Sequence, residues 1–174
     1  MPATPDYPPA LLALVQSRPL APLGPGRPAT AQRPHLAALS LASFHPHPVV
    51  DPASATACLA GLWLAYDFLD ESHRLSQDLT TPEGSFWHAI MHRREPDAWN
   101  SKYWWRRVGS HPVLDQLGKQ APALGYSYTT PDAFVDFCER VRASGTPDEV
   151  TAQRVQALEW DLLFAWCFDN AITQ

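Results

Sequence analysis

Residues 81–112, TPEGSFWHAIMHRREPDAWNSKYWWRRVGSHP, contain the start and stop signals of two consecutive helices. Thr81 offers a capping hydroxyl directly before Pro82, whose fixed φ and missing N–H are tolerated at the first helical position. Pro96 closes the first segment and Asp97 caps the second. Gly109 ends that one, and His111-Pro112 opens the next. The spacing predicts helices over 82–95 and 98–108.

The same punctuation recurs outward from this stretch. Asp51-Pro52, Thr130-Pro131 and Thr146-Pro147 repeat the cap-then-proline pairing, and Thr146 with Glu149 fits a capping box. Between these signals the apolar residues fall at helical intervals: Leu59, Leu62, Trp63 and Tyr66; Phe134, Phe137, Cys138 and Val141; Val155, Leu158, Leu162, Leu163 and Trp166. No segment alternates with period two, and no Asn-Gly or Asp-Gly hairpin signal occurs. The fold class expected is all-α, a single-domain bundle of about six helices over 52–77, 82–95, 98–108, 112–120, 131–143 and 148–170.

Twelve of the 18 prolines precede residue 53, so residues 1–50 read as an irregular Pro/Ala-rich arm with one short helix near Pro9–Ser17. Its leucines are too many for a free tail, which places the arm on the helical domain of residues 51–174. A chain of 174 residues can bury a core without disulfides or a structural metal. Cys58, Cys138 and Cys167 are odd in number, far apart and set in apolar helical patterns, as expected of buried thiols in a reducing compartment. The longest nearly apolar run, Ala53 to Tyr66, is shorter than the roughly 20 residues of a membrane span, and the first residues lack a signal-peptide pattern. A cytoplasmic protein without membrane attachment is the expectation. Net charge is −5, yet between residues 86 and 111 five bases stand against two acids. Such a local positive segment in an acidic body suits a small anion or internal carboxylates better than a nucleic acid, and no nucleic-acid partner is expected.

Several residue groups in and beside the opening stretch can carry chemistry. Asp70 stands one turn before His73, the spacing at which a carboxylate can orient an imidazole and raise its basicity. His88, His92 and Glu95 fall at i, i+4 and i+7, so two imidazoles and a carboxylate share one helix face. That pair can chelate a divalent transition metal with a further His or carboxylate, although the Glu of an HExxH protease motif is absent. Arg93, Arg94, Arg106 and Arg107 form two adjacent pairs in which one guanidinium of each can face inward, toward a ligand anion or toward internal acids such as Asp67, Asp70, Glu71, Glu95 and Asp97. Asn100, Tyr103 and Trp104 place an amide, a phenol and an indole on one face, suited to a planar ligand or to plain packing. No Rossmann, P-loop, nucleophile-elbow or paired CxxC motif occurs.

The phrase SFWHAIMHRREPDAWNSKYWWRRVGSHPV, preceded by DFLDESHRLSQ at 67–77, resembles one shared by a group of uncharacterised helical proteins of bacteria and fungi. The resemblance spans about residues 60–117. It implies that His73, His88, His92, Arg93, Arg94, Glu95, Asp97, Asn100, Tyr103, Arg106 and His111 belong to one site, and brings no activity with it.

The combined expectation is a small-molecule site for a polar or anionic ligand, open to enzymatic use. In it His92 or His73 exchanges protons, Glu95 and Asp70 orient the imidazoles, and Arg93, Arg94, Asn100, Tyr103, Arg106 and His111 hold the ligand. A metal-assisted version uses His88 and His92. The rival expectation is a structural or protein-interaction domain in which the same His, Arg and carboxylate groups form an internal hydrogen-bond network.

Overall fold

The computed structural model describes residues 5–172, and these fold as helices without strands. Among the described residues nine α-helices occur: α1 (Pro9–Ser17), α2 (Arg33–Ala37), α3 (Pro52–Ala65), α4 (Leu69–Gln77), α5 (Pro82–Arg94), α6 (Ala98–Val108), α7 (Pro112–Gln120), α8 (Pro131–Val141) and α9 (Pro147–Ala171). The class is the expected one and the count is higher. Side-chain caps hold most starts: Asp51 accepts from Ala53 N, Thr81 from Gly84 N, Asp97 from Asn100 N and Thr130 from Ala133 N. At Thr146 the expected capping box does not form. The Glu149 carboxylate reaches past it to accept from Ala143 N and Gly145 N, both at 2.8 Å, and so closes the preceding turn instead.

The single helix expected over 52–77 is two. The chain breaks at Tyr66–Phe68, where Asp67 takes a left-handed backbone with φ 66°. Arg94 explains the break: its Nη1 donates to Leu64 O at 2.9 Å, and its Nη2 pairs with the Asp67 carboxylate. The Leu64 carbonyl, which also accepts from Asp67 N at 3.2 Å, is thereby tied to α5, and α4 leaves in a new direction.

α5 packs against α3, α4 and α6, while the long α9 packs against α3, α7 and α8. α3 meets α5 and α9 closely at Gly61, where an added Cβ would stand 2.6 Å from Trp87 Cζ2, and where Trp160 Nε1 donates to Gly61 O at 2.8 Å. The proline-rich segment lies on this bundle, burying Leu11, Leu14, Leu23, Leu36 and Phe44. Its carbonyls are used as well. Pro22 O and Gly24 O accept from Arg94, and Leu23 O accepts from Arg142. No helix among the described residues is long and apolar enough to cross a membrane.

Candidate metal centre

The packing of α4 on α5 brings three histidines together. His88 and His92, one turn apart on α5, face His73 on α4. Ring centroids lie 4.5 Å apart for His73–His88, 5.5 Å for His73–His92 and 4.8 Å for His88–His92. One potential ligand nitrogen from each ring falls within 4.8 Å of the others. A tetrahedral metal with bonds of about 2.0–2.1 Å holds its nitrogens roughly 3.3 Å apart. Closing the rings onto an ion therefore needs side-chain rotation rather than helix movement. The cluster is all nitrogen, since the three cysteines are buried elsewhere as free thiols.

Outer hydrogen bonds fix which nitrogens of His88 and His92 keep a lone pair. His92 Nδ1 lies 3.0 Å from Glu95 Oε2; a carboxylate only accepts, so Nδ1 carries the proton and Nε2 keeps its lone pair. Ser76 Oγ donates to His73 O at 3.2 Å, which leaves the same oxygen to accept from His88 Nδ1 at 3.4 Å. His88 too is thus assigned the Nδ1–H form with a free Nε2. A carboxylate or hydroxyl on the far nitrogen is the arrangement that orients metal-ligating imidazoles and raises their donor strength.

Burial then keeps these rings unprotonated. Desolvation, with His92 and His73 as neighbours, pushes the His88 imidazolium down to about 3. For His92 burial lowers the value and outweighs the Glu95 carboxylate, which pulls the other way. Trp104 forms a wall of the site, its ring stacked on His88 at 4.0 Å. His73 is half-buried, so the cluster reaches solvent on its side. Neutral imidazoles with a free lone pair, as at His88 and His92, are what a transition metal requires.

The other expected site residues distribute differently. Asp70 is exposed and makes no contact with His73, because side chains at i and i+3 diverge by about 60° around a helix axis and only His73 turns to α5. Arg93 and Arg94 are enclosed. The Arg93 guanidinium pairs with Glu159 of α9 at 3.3 and 2.5 Å and donates to Gln156 Oε1 at 3.4 Å, with the Phe134 ring 4.7 Å away. Burial opposes its charge, and Glu159 more than restores it. Arg94 is taken up by Asp67 and three backbone carbonyls. Both guanidiniums are closed off from solvent, although Arg93 Nε has no hydrogen-bond partner among the described residues.

Asn100 binds the Asp97 carboxylate through Nδ2 at 2.6 Å, closing the first turn of α6. His111 caps α7 by accepting from Val113 N at 3.2 Å, and its Nε2 lies 3.4 Å from Glu83, which also accepts from Trp166 Nε1 at 2.9 Å. The His111 contact is the largest cause that holds the Glu83 carboxyl down at about 2. Tyr103 and Arg106 lie on the exposed face of α6.

Sequence reasoning missed Ser76 and Glu159. Ser76 carried no signal, being one of many helical serines. Glu159 did: it sits four residues from both Val155 and Leu163, a carboxylate inside an apolar stripe. Comparison with protein-family models, with curated proteins and with solved structures finds no match for this chain.

Proposed function

We propose that the protein is a metal-binding helical domain whose working centre is one divalent transition metal held by His73, His88 and His92. The observation that carries this reading is the pairing of three converging imidazoles with outer partners, Glu95 and Ser76, that leave the inner nitrogens of His92 and His88 as lone-pair donors. Three nitrogen ligands suit zinc, copper, nickel or cobalt, and leave a four-coordinate ion one position for a small molecule. When bound, such an ion supplies Lewis-acid character at that position. The chain's own groups orient the rings of His88 and His92, keep protons off these two and wall one side with Trp104. The arginines once grouped with this centre serve the framework instead, which supports the internal-network reading for Arg93 and Arg94 but not for the histidines.

Untagged protein, stripped with chelator and titrated with Co(II), tests the reading. Saturation at one equivalent, with the visible absorption of a four-coordinate nitrogen site, is the expected result, and zinc should displace the cobalt. His73→Ala, at the half-exposed ligand, should weaken binding by at least a hundredfold with little change in Tm. Absence of saturable binding by folded protein rules the centre out.

A further inference from the structure

Beside the histidine cluster, α6 presents a surface unlike the rest of the molecule. Of seven tryptophans only Trp99 is exposed, at 73%, and Tyr103, one turn along, is 39% exposed. Their rings are nearly parallel, 11° apart, with centroids 6.2 Å apart. One further turn on, the Arg107 guanidinium lies 6.0 Å from the Tyr103 centroid and 5.2 Å from that of Trp104. Among the described residues neither Arg107 nor the neighbouring exposed Arg106 is paired with a carboxylate, as is true also of Arg27, Arg140 and Arg154, whereas Arg18, Arg33, Arg74, Arg93, Arg94 and Arg142 each are.

Two parallel exposed rings ending in unneutralised guanidiniums form a shelf for a flat, negatively charged molecule: the rings stack, and the guanidinium meets the anion. The shelf is continuous with the metal cluster. Tyr103 touches Trp104 edge-on at 5.5 Å, and Trp104 in turn stacks on the ring of His88. Resting on the metal reading above, we propose that the small molecule taken by the centre is a planar-ring carboxylate or phosphate. Its ring lies on Trp99 and Tyr103, and its anionic group on Arg107. The positive charge expected of the ligand site in this stretch is therefore supplied by the exposed pair rather than the buried one. A peptide or a second copy of the chain would need a broader apolar face than two rings, and charge complementarity favours the small anion.

Calorimetric titration of zinc-loaded protein with 1-naphthoate tests this, with cyclohexanecarboxylate (charge without a flat ring) and 1-naphthylmethanol (ring without charge) as controls. Naphthoate should bind at least tenfold more tightly than either. Trp99→Ala and Arg107→Gln, both at exposed positions, should each weaken it by about tenfold while zinc affinity stays within twofold. Equal affinity for the three compounds, or indifference to both substitutions, overturns the proposal. So does a homodimer that dissociates when Trp99 is replaced, since a second copy would then cover the shelf. Zinc binding without naphthoate binding defeats this inference alone. Naphthoate binding without zinc binding defeats the metal reading and leaves the shelf unconnected to any centre.

Discussion

Replacing Glu159 by Gln removes one charge from the most enclosed ion pair of the protein while keeping the side chain's shape. Both partners have fully buried side chains, and the Arg93 guanidinium cannot reach solvent without opening the contact between α5 and α9. Removing one partner of such a pair costs about 3–5 kcal/mol, because the remaining charge stays desolvated and uncompensated. Two acceptors soften the loss here: the new amide oxygen at 159, and Gln156 Oε1, already 3.4 Å from Arg93. A cost near 3 kcal/mol follows. With a urea m-value of about 2 kcal/mol per M, the unfolding midpoint should fall by roughly 1.5 M. The paired change Arg93→Met with Glu159→Leu should recover most of this, since an apolar pair of similar volume leaves no charge unpaired and only Gln156 Oε1 loses a long contact. A midpoint shift below about 0.3 M for Glu159→Gln, with m unchanged, would show that Arg93 is not held by this carboxylate and would reopen it as a ligand-binding group.

Other outcomes follow from the same physics. The depressed His88 value means that the unfolded chain, with an ordinary imidazole near 6.5, binds a proton that the folded one refuses down to about 3. Stability should therefore rise with pH across that window and be lost as pH falls below 6.5. The limiting slope is about 1.4 kcal/mol per pH unit for this ring, and less where solvent reaches it. His88→Gln should flatten the dependence of Tm on pH between 7 and 5, and an unchanged slope would contradict the assignment. Glu95→Gln, which weakens the hold on His92 Nδ1, should reduce Co(II) affinity by about tenfold to a hundredfold while Tm moves little. Equal affinity in the variant would deny Glu95 its orienting part. Gly61→Ala should lower Tm even though alanine is the better helix former by about 1 kcal/mol. The added Cβ meets the ring of Trp87, which is wholly buried and has no room to move, and overpacking of that kind costs about 1–3 kcal/mol. A rise in Tm would refute the close contact.

Much of the fold was written locally. Cap-then-proline pairs and helical spacing of apolar residues depend on neighbours within one turn, so the starts of α3, α5, α7, α8 and α9 and the all-α class could be read directly. The break between α3 and α4 could not, because its cause is Arg94, nearly 30 residues away, taking the Leu64 carbonyl and the Asp67 carboxylate. The i, i+4 spacing likewise put His88 and His92 on one face, and Glu95 within reach of His92.

What the sequence alone determined, then, was helices, their starts and the two-histidine face, since each rests on periodicity and short-range hydrogen bonding. Tertiary packing decided the rest: that His73 and not Asp70 completes the cluster, that Arg93 and Arg94 are enclosed by Glu159 and Asp67, and that of the two arginine pairs it is Arg106 and Arg107 that stay exposed. A buried charge must find a partner wherever the fold provides one. Which side chains are buried depends on how helices cross, and that is not encoded within any single turn.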